Sequence, residues 1–228
     1  MANQRRIDPL QVLVEIAVIT VGIVLAYQLN TMRETNKTAE AERKVLREIK
    51  SNLELDLIDL DQNILAHQNA LLLIDSVKEW SGAYEPHIGE MFFRIFRDYL
   101  FLPQTSAFET LKSKGVDLIT NDSIRIKTQR LYDFYYQIMI KYESEYKANQ
   151  LFDDFEWLVI KYYRTFPIRR SEQPIPKSKS TDWLDDDELT TRMDIAQHEH
   201  SYALRSYQLV KSEINKLIDI INQELEIE

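Results

Sequence analysis

The most uniform stretch of apolar side chains lies near the start of the chain. Leu10 to Leu29 reads LQVLVEIAVITVGIVLAYQL, and Glu15 is its only residue of a type charged at neutral pH. Twenty residues rising ~1.5 Å each reach ~30 Å, the thickness of the hydrocarbon layer of a bilayer. Buried helices of soluble cores usually have shorter apolar runs. The run is also long for the apolar part of a signal peptide, and Ala26-Tyr27-Gln28 offers no small-x-small cleavage site. The pattern predicts a short tail over 1–9, an uncleaved transmembrane helix over 10–29, and an extramembrane domain over 30–228.

Beyond Asn30 the pattern becomes helical. Val45, Leu46, Ile49, Leu53, Leu57, Leu60, Ile64, Leu71, Ile74 and Val77 recur in steps of three and four, with no glycine or proline before Gly82. The successive steps of four at Ile49, Leu53 and Leu57, and His67 on the seam, argue for a globular bundle over a strict heptad coiled coil. The membrane helix is free to run on into this one, giving about 70 residues and ~105 Å.

Ser81 to Pro86 reads as a turn, and a short helix is expected from about Ile88 to Phe101, stopped by Pro103. Thr105 or Ser106 caps a brief helix that ends at Gly115, a position suited to a left-handed C-terminal cap. Val116 to Thr120 is extended or turn-like. Asn121, Asp122 or Ser123 caps a helix with no breaker before Pro167. Arg169 to Asp182 reads as an exposed loop. Asp185, Asp186 and Asp187 then open a last helix reaching about Ile227, where carboxylates suit the positive dipole end. The expected fold is all-α, with one N-terminal transmembrane helix continuing into an antiparallel bundle of long helices.

Composition agrees with this picture. Four glycines and six prolines in 228 residues leave few turns, hence long elements. The absence of cysteine excludes disulfides, thiolate metal sites and a cysteine nucleophile. The net charge of −9 lies entirely beyond residue 29, since Arg5 and Arg6 balance Asp8 and Glu15. Such a domain repels phosphate backbones, so nucleic acid is not an expected partner.

Glu15 lies ~9 Å along the helix from Pro9, inside the apolar zone. On a helical wheel Gln11, Glu15, Val18, Gly22 and Ala26 share one face. Gly22 and Ala26 form a small-xxx-small pair that allows two backbones to approach closely. The face is suited to another protein helix, from a second copy or another membrane subunit. The alternatives for Glu15 are snorkelling to the interface or service in an ion or proton pathway. Flanking lysines and arginines favour a cytoplasmic C-terminal side, but long domains translocate largely regardless of charge.

Two stretches resemble a family of uncharacterised bacterial single-pass membrane proteins, a domain of unknown function. One runs from Glu15-Ile16 through Val21-Gly22-Ile23-Val24-Leu25-Ala26-Tyr27-Gln28-Leu29-Asn30. The other is Phe108-Glu109-Thr110-Leu111-Lys112-Ser113-Lys114-Gly115, followed by Leu118-Ile119-Thr120-Asn121 and Ile124-Arg125. Thr31 and Met32 stand where the family often has a tryptophan, and the N-terminal tail is less basic than is usual there. The resemblance implies a bacterial inner-membrane protein with its domain outside the cytoplasm, and no activity.

Catalytic chemistry is not apparent. His198-Glu199-His200 is the one histidine cluster, yet residues two apart on a helix point about 200° apart, so the rings cannot share a metal, and both are expected to be exposed. Asp194 and His198 face together but are only two ligands. The aromatic residues from Tyr132 to Tyr163 crowd one predicted helix and suit bundle packing, an aromatic-lined pocket being the alternative. No phosphate loop or serine elbow occurs. No cofactor or metal is expected. The expected role is a membrane-anchored interaction or scaffold subunit rather than an enzyme, with a ligand-sensing bundle as the alternative; a small-molecule ligand is left open.

Overall fold

A computed structural model describes residues 9–80, 88–146, 150–163 and 185–226. The expected turn at 81–86 and loop at 169–182 lie outside the described residues. Six helices make up the described chain: α1 Pro9–Lys78, α2 Ile88–Ile95, α3 Ser106–Lys114, α4 over 122–146, α5 Gln150–Tyr162 and α6 Asp187–Glu226. The fold is all-α. α1 is one unbroken helix of 70 residues, so the apolar segment does continue directly into the domain.

α6 packs along α1 more extensively than any other pair of elements. Lys78 donates to Asp194 and Gln197, Gln197 donates to Asp75, and Lys211 pairs with Asp61, so the contacts descend α1 as they ascend α6. The two helices are antiparallel. The seam between them is a strict heptad, contrary to the expectation from the apolar residues. From Leu46 on, the buried positions of α1 are Leu46, Ile49, Leu53, Asp56, Leu60, Asn63, His67, Ala70, Ile74 and Val77, alternating steps of three and four, with Val45 also buried just before them. On α6 they are Leu189, Met193, Ala196, His200, Ala203, Tyr207, Val210, Ile214, Leu217 and Ile221, in the same rhythm. Polar residues hold several seam positions, while Leu57 only packs at its edge. Counting apolar residues alone therefore hid the repeat.

Two apolar cores are strung along this pair. The first joins Leu46, Ile49, Leu53 and Leu60 to Phe108 and Leu111 of α3, Tyr132 and Tyr136 of α4, and Ile214 to Ile221 of α6. The second joins Ile74 and Val77 to Phe92 and Phe96, to Leu151, Phe155 and Leu158 of α5, and to Leu189 to Ala196. The aromatic residues mostly serve this packing: Phe108 stacks on Tyr132 at 4.5 Å, and Tyr132 meets Tyr136 edge-on at 5.0 Å. α4 is not a plain α-helix, because it carries two π turns, Leu131–Tyr136 and Tyr142–Tyr146.

The caps are largely as read. Asn121 caps α4, its side chain accepting from the Ser123 and Ile124 N–H groups at 3.0 and 3.3 Å. It also donates to Glu224 at 2.6 Å, tying the cap to the end of α6. Gly115 closes α3 with φ +97°, and its N–H reaches the Lys112 carbonyl. Thr105 precedes α3 without a side-chain cap, and Val116–Leu118 forms one 3₁₀ turn. Asp186 caps α6 by accepting from Glu188 and Leu189 N–H groups. Its carboxyl is lowered to about 2, first by the hydrogen bond from Lys161 and then by that from Tyr162.

Candidate functional site

The apolar part of α1 is covered by nothing else among the described residues. Its most apolar eighteen-residue window has a mean hydropathy of 1.8 and no buried residue. Side chains from Leu13 to Leu29 are exposed throughout, including Ile19 at 60% and Ile23 at 64%. Exposed aliphatic surface in one block of this length is disfavoured in water. Among the described residues this is the one helix long and apolar enough to cross a membrane. Thr20 fits an apolar surround, because its hydroxyl donates to the Ile16 carbonyl at 2.8 Å.

Glu15, Val18, Gly22 and Ala26 all lie on this segment as exposed residues. Gln11 is on α1 as well, with its side chain outside the described residues. An added Cβ at Gly22 would meet no atom within 4 Å. Gly115 and Asn121 lie in the domain, as turn and cap, well apart from this face in the chain.

A second feature was not foreseen. α2 ends at Ile95, six residues before the expected Phe101, and the chain then runs as a non-helical strap over 97–105. Buried backbone groups need partners, and here side chains supply them in place of helical carbonyls. The Phe101 N–H donates to Glu143 at 3.1 Å, the Leu102 N–H to Asp59 at 3.0 Å and the Gln104 N–H to Asp56 at 2.7 Å. The Leu100 carbonyl accepts from Asn63 at 3.1 Å and the Tyr99 carbonyl from Tyr207 at 3.1 Å. Pro103, which has no N–H, lies between two of these donors. The acidic and amide side chains that interrupt the apolar rhythm of α1 are those that hold the strap.

The strap encloses a buried polar layer between the two cores. His67 and His200 are both fully buried, with their Nδ1 atoms 2.8 Å apart. His200 Nε2 lies 2.7 Å from the Ile95 carbonyl, which only accepts, so Nε2 carries a hydrogen and donates. With neutral rings, His200 Nδ1 is then the acceptor and His67 Nδ1 the donor. The expectation that both His198 and His200 are exposed is corrected here. His198 is exposed, whereas the opposite face of the same helix turn buries His200 in the seam. Glu199, between them, accepts from Tyr142.

Asp56 anchors one end of this layer. It is fully buried and accepts from Tyr136 at 2.6 Å and from the Gln104 N–H. Burial raises its carboxyl to about 6, against the lowering effect of those two hydrogen bonds. The Tyr136 hydroxyl is pushed far above the usual phenol range, first by burial and then by the Asp56 charge. Tyr207, donating to Glu143, is raised by burial and by that carboxylate.

Beside the strap lies a cleft of about 480 Å³. Leu100, Phe101, Leu102, Pro103 and Ile140 give it apolar walls, with Asp98, Glu143 and Ser144 as its polar members. Glu143 and Ser144 belong to the second π turn of α4, and such turns recur at functional positions because they re-aim side chains. The sequence carried a faint signal for this region in Pro103 and in His67 on the seam, but none for Glu143 as its partner.

No curated protein and no solved structure matches this chain. A family of unknown function (DUF6090) matches residues 15–176, taking in most of the apolar segment of α1, the strap and the Gly115–Asn121 turn. The match extends over well more than half of the sequence, and the chain belongs to that family.

Proposed function

We propose that this protein is a single-pass subunit of a bacterial inner membrane, acting by holding other proteins rather than by catalysis. The segment 10–29 is its uncleaved anchor, and the domain projects outside the cytoplasm. Gln11, Glu15, Val18, Gly22 and Ala26 form its contact with another transmembrane helix, from a second copy or a partner subunit. The observation that carries this reading is the polar and small face on a helix that nothing else among the described residues covers. Between lipid-facing helices, close packing at small residues is the main source of association.

Single cysteines scanned from Ala17 to Ala26 in native membranes test it, with no native thiol to interfere. Cross-linking should rise and fall with the helix, peaking at Val18, Gly22 and Ala26, and Gly22→Ile should abolish it while Ile23→Leu should not. A flat profile, in membranes retaining co-purifying subunits, refutes the contact. A reporter active only outside the cytoplasm, fused after Glu228, tests orientation: an inactive reporter reverses it.

The cleft beside the strap favours a second reading, a ligand-sensing domain that signals through a partner. Apolar walls with a few polar groups are the usual form of a small-molecule site. A thermal-shift screen supports this reading if a compound stabilises the protein and Ile140→Trp removes the effect. Stabilisation that survives Ile140→Trp argues against the cleft.

A further inference from the structure

The outward face of α1, opposite its seam with α6, carries a second regular row. Leu55, Ile58, Gln62, Leu65, Asn69, Leu72 and Ser76 follow one another in alternating steps of three and four, and all seven are exposed. None is charged, although 29% of the chain is. The four aliphatic members are 51 to 64% exposed. Positions pointing away from a helical seam ordinarily take charged residues. The corresponding back of α6 is mixed: it carries Arg205, Lys216 and Asp219 beside the exposed Ile195, Tyr202 and Leu209. Of the nearby carboxylates of α1, Asp59 is engaged with the strap, Asp61 with Lys211 and Asp75 with Gln197, while Glu54 pairs with Lys50 of the same helix.

Three observations say what covers this row. The first is phase. Gly22 and Ile58 are 36 residues apart on one unbroken helix, about ten turns at ~3.6 residues per turn, so the row continues the small-residue face of the membrane segment to within roughly a quarter turn. The second is direction. Copies anchored in one bilayer by the same helix stand parallel, and aliphatic residues at Ile58, Leu65 and Leu72 with Asn69 between them suit a parallel two-stranded seam, in which an inward asparagine pairs with its own counterpart. The third is charge. Between the two apolar parts, residues 30–54 carry six lysines and arginines interleaved with five glutamates, so two copies meet there without strong repulsion.

We propose that a second copy of this chain docks in parallel along this row, making the protein a dimer whose contact runs from Val18 in the membrane to Leu72 in the domain. The proposal rests on the membrane-face reading above, and names its partner. The experiment uses the full chain in native membranes, co-expressed in tagged and untagged forms. Single cysteines at Leu55, Ile58, Leu65 and Leu72 are oxidised alongside cysteines at Gly22 and Ala26, with Arg205 and Ser212 on α6 as exposed controls. Tagged–untagged dimers should form at the row and at the membrane positions, and several-fold less at the α6 controls. Leu65→Glu should weaken cross-linking at Ile58→Cys and Leu72→Cys several-fold while sparing Gly22→Cys. Dimers at Gly22 and Ala26 without dimers along the row overturn this proposal and leave the membrane reading standing. Dimers at neither set overturn both. A product of another mass from the row overturns the second copy as its occupant.

Discussion

Asp56→Asn removes a buried charge while keeping an oxygen in the same place, and its effect on stability should depend on pH. Asp56 is fully buried between α1, α4 and the strap, and burial holds its carboxyl near 6 rather than 3.8. A carboxyl raised in the folded state favours the protonated form there. The stabilisation from proton binding is therefore complete below about pH 4 and is lost as the pH rises through about 6. One proton with these two affinities makes the wild-type fold about 2 kcal/mol more stable at about pH 4.5 than at about pH 8. Asparagine does not titrate, its amide oxygen still accepts from the Gln104 N–H, and its NH₂ group is able to donate to the Tyr136 oxygen. Urea unfolding of both proteins in mild detergent, at the two pH values and one ionic strength, measures the effect. The difference between the proteins cancels the other titrating groups they share. Relative to the variant, the wild type should gain about 2 kcal/mol on acidification. A difference that stays flat, or runs the other way, refutes the view that Asp56 is a desolvated carboxylate holding the strap.

Gly115→Val should lower stability by on the order of 1 kcal/mol in thermal melts. Since an added Cβ there meets nothing within 4 Å, Gly115→Ala should show a similar loss, arising from φ +97° alone. Asn121→Ala should lose about 1 kcal/mol with the cap to Ser123 and Ile124, and thermal melts of Glu224→Ala should show a smaller loss. Leu60→Ala, at a fully buried seam position, should cost about 2–5 kcal/mol in urea titrations. By contrast Lys78→Ala should cost less than about 1 kcal/mol, because its Asp194 partner is largely exposed and the pair is screened by salt.

The helices were legible where local chemistry dominates. Gly115 needs only its own backbone freedom and Asn121 only the N–H groups of the next turn, so the first is read directly from sequence and the second as one of three adjacent cap candidates, of which the structure selects Asn121. The end of α2 was not, because nothing between Ile88 and Phe101 forbids a helix. It ends at Ile95 because Asp56, Asp59, Asn63 and Glu143, distant in the chain, offer the strap better partners than a further helical turn would. The heptad on α1 was hidden for the same reason: Asp56 and Asn63 belong to the seam but do not look apolar, and His67 on the seam argued against the repeat instead of for it.

The sequence by itself determined an all-helical chain with one helix apolar enough for a bilayer, a small and polar face on that helix, and the turn and cap at Gly115 and Asn121. These follow from composition and from contacts a few residues apart. Only the tertiary structure decided which polar residues turn inward, that His67 meets His200, that the strap shapes a cleft against a π turn, and that the back of α1 is left uncharged. Each of these depends on which helix faces which, and that pairing is set by burial across residues 37 to 133 positions apart, which no local pattern records.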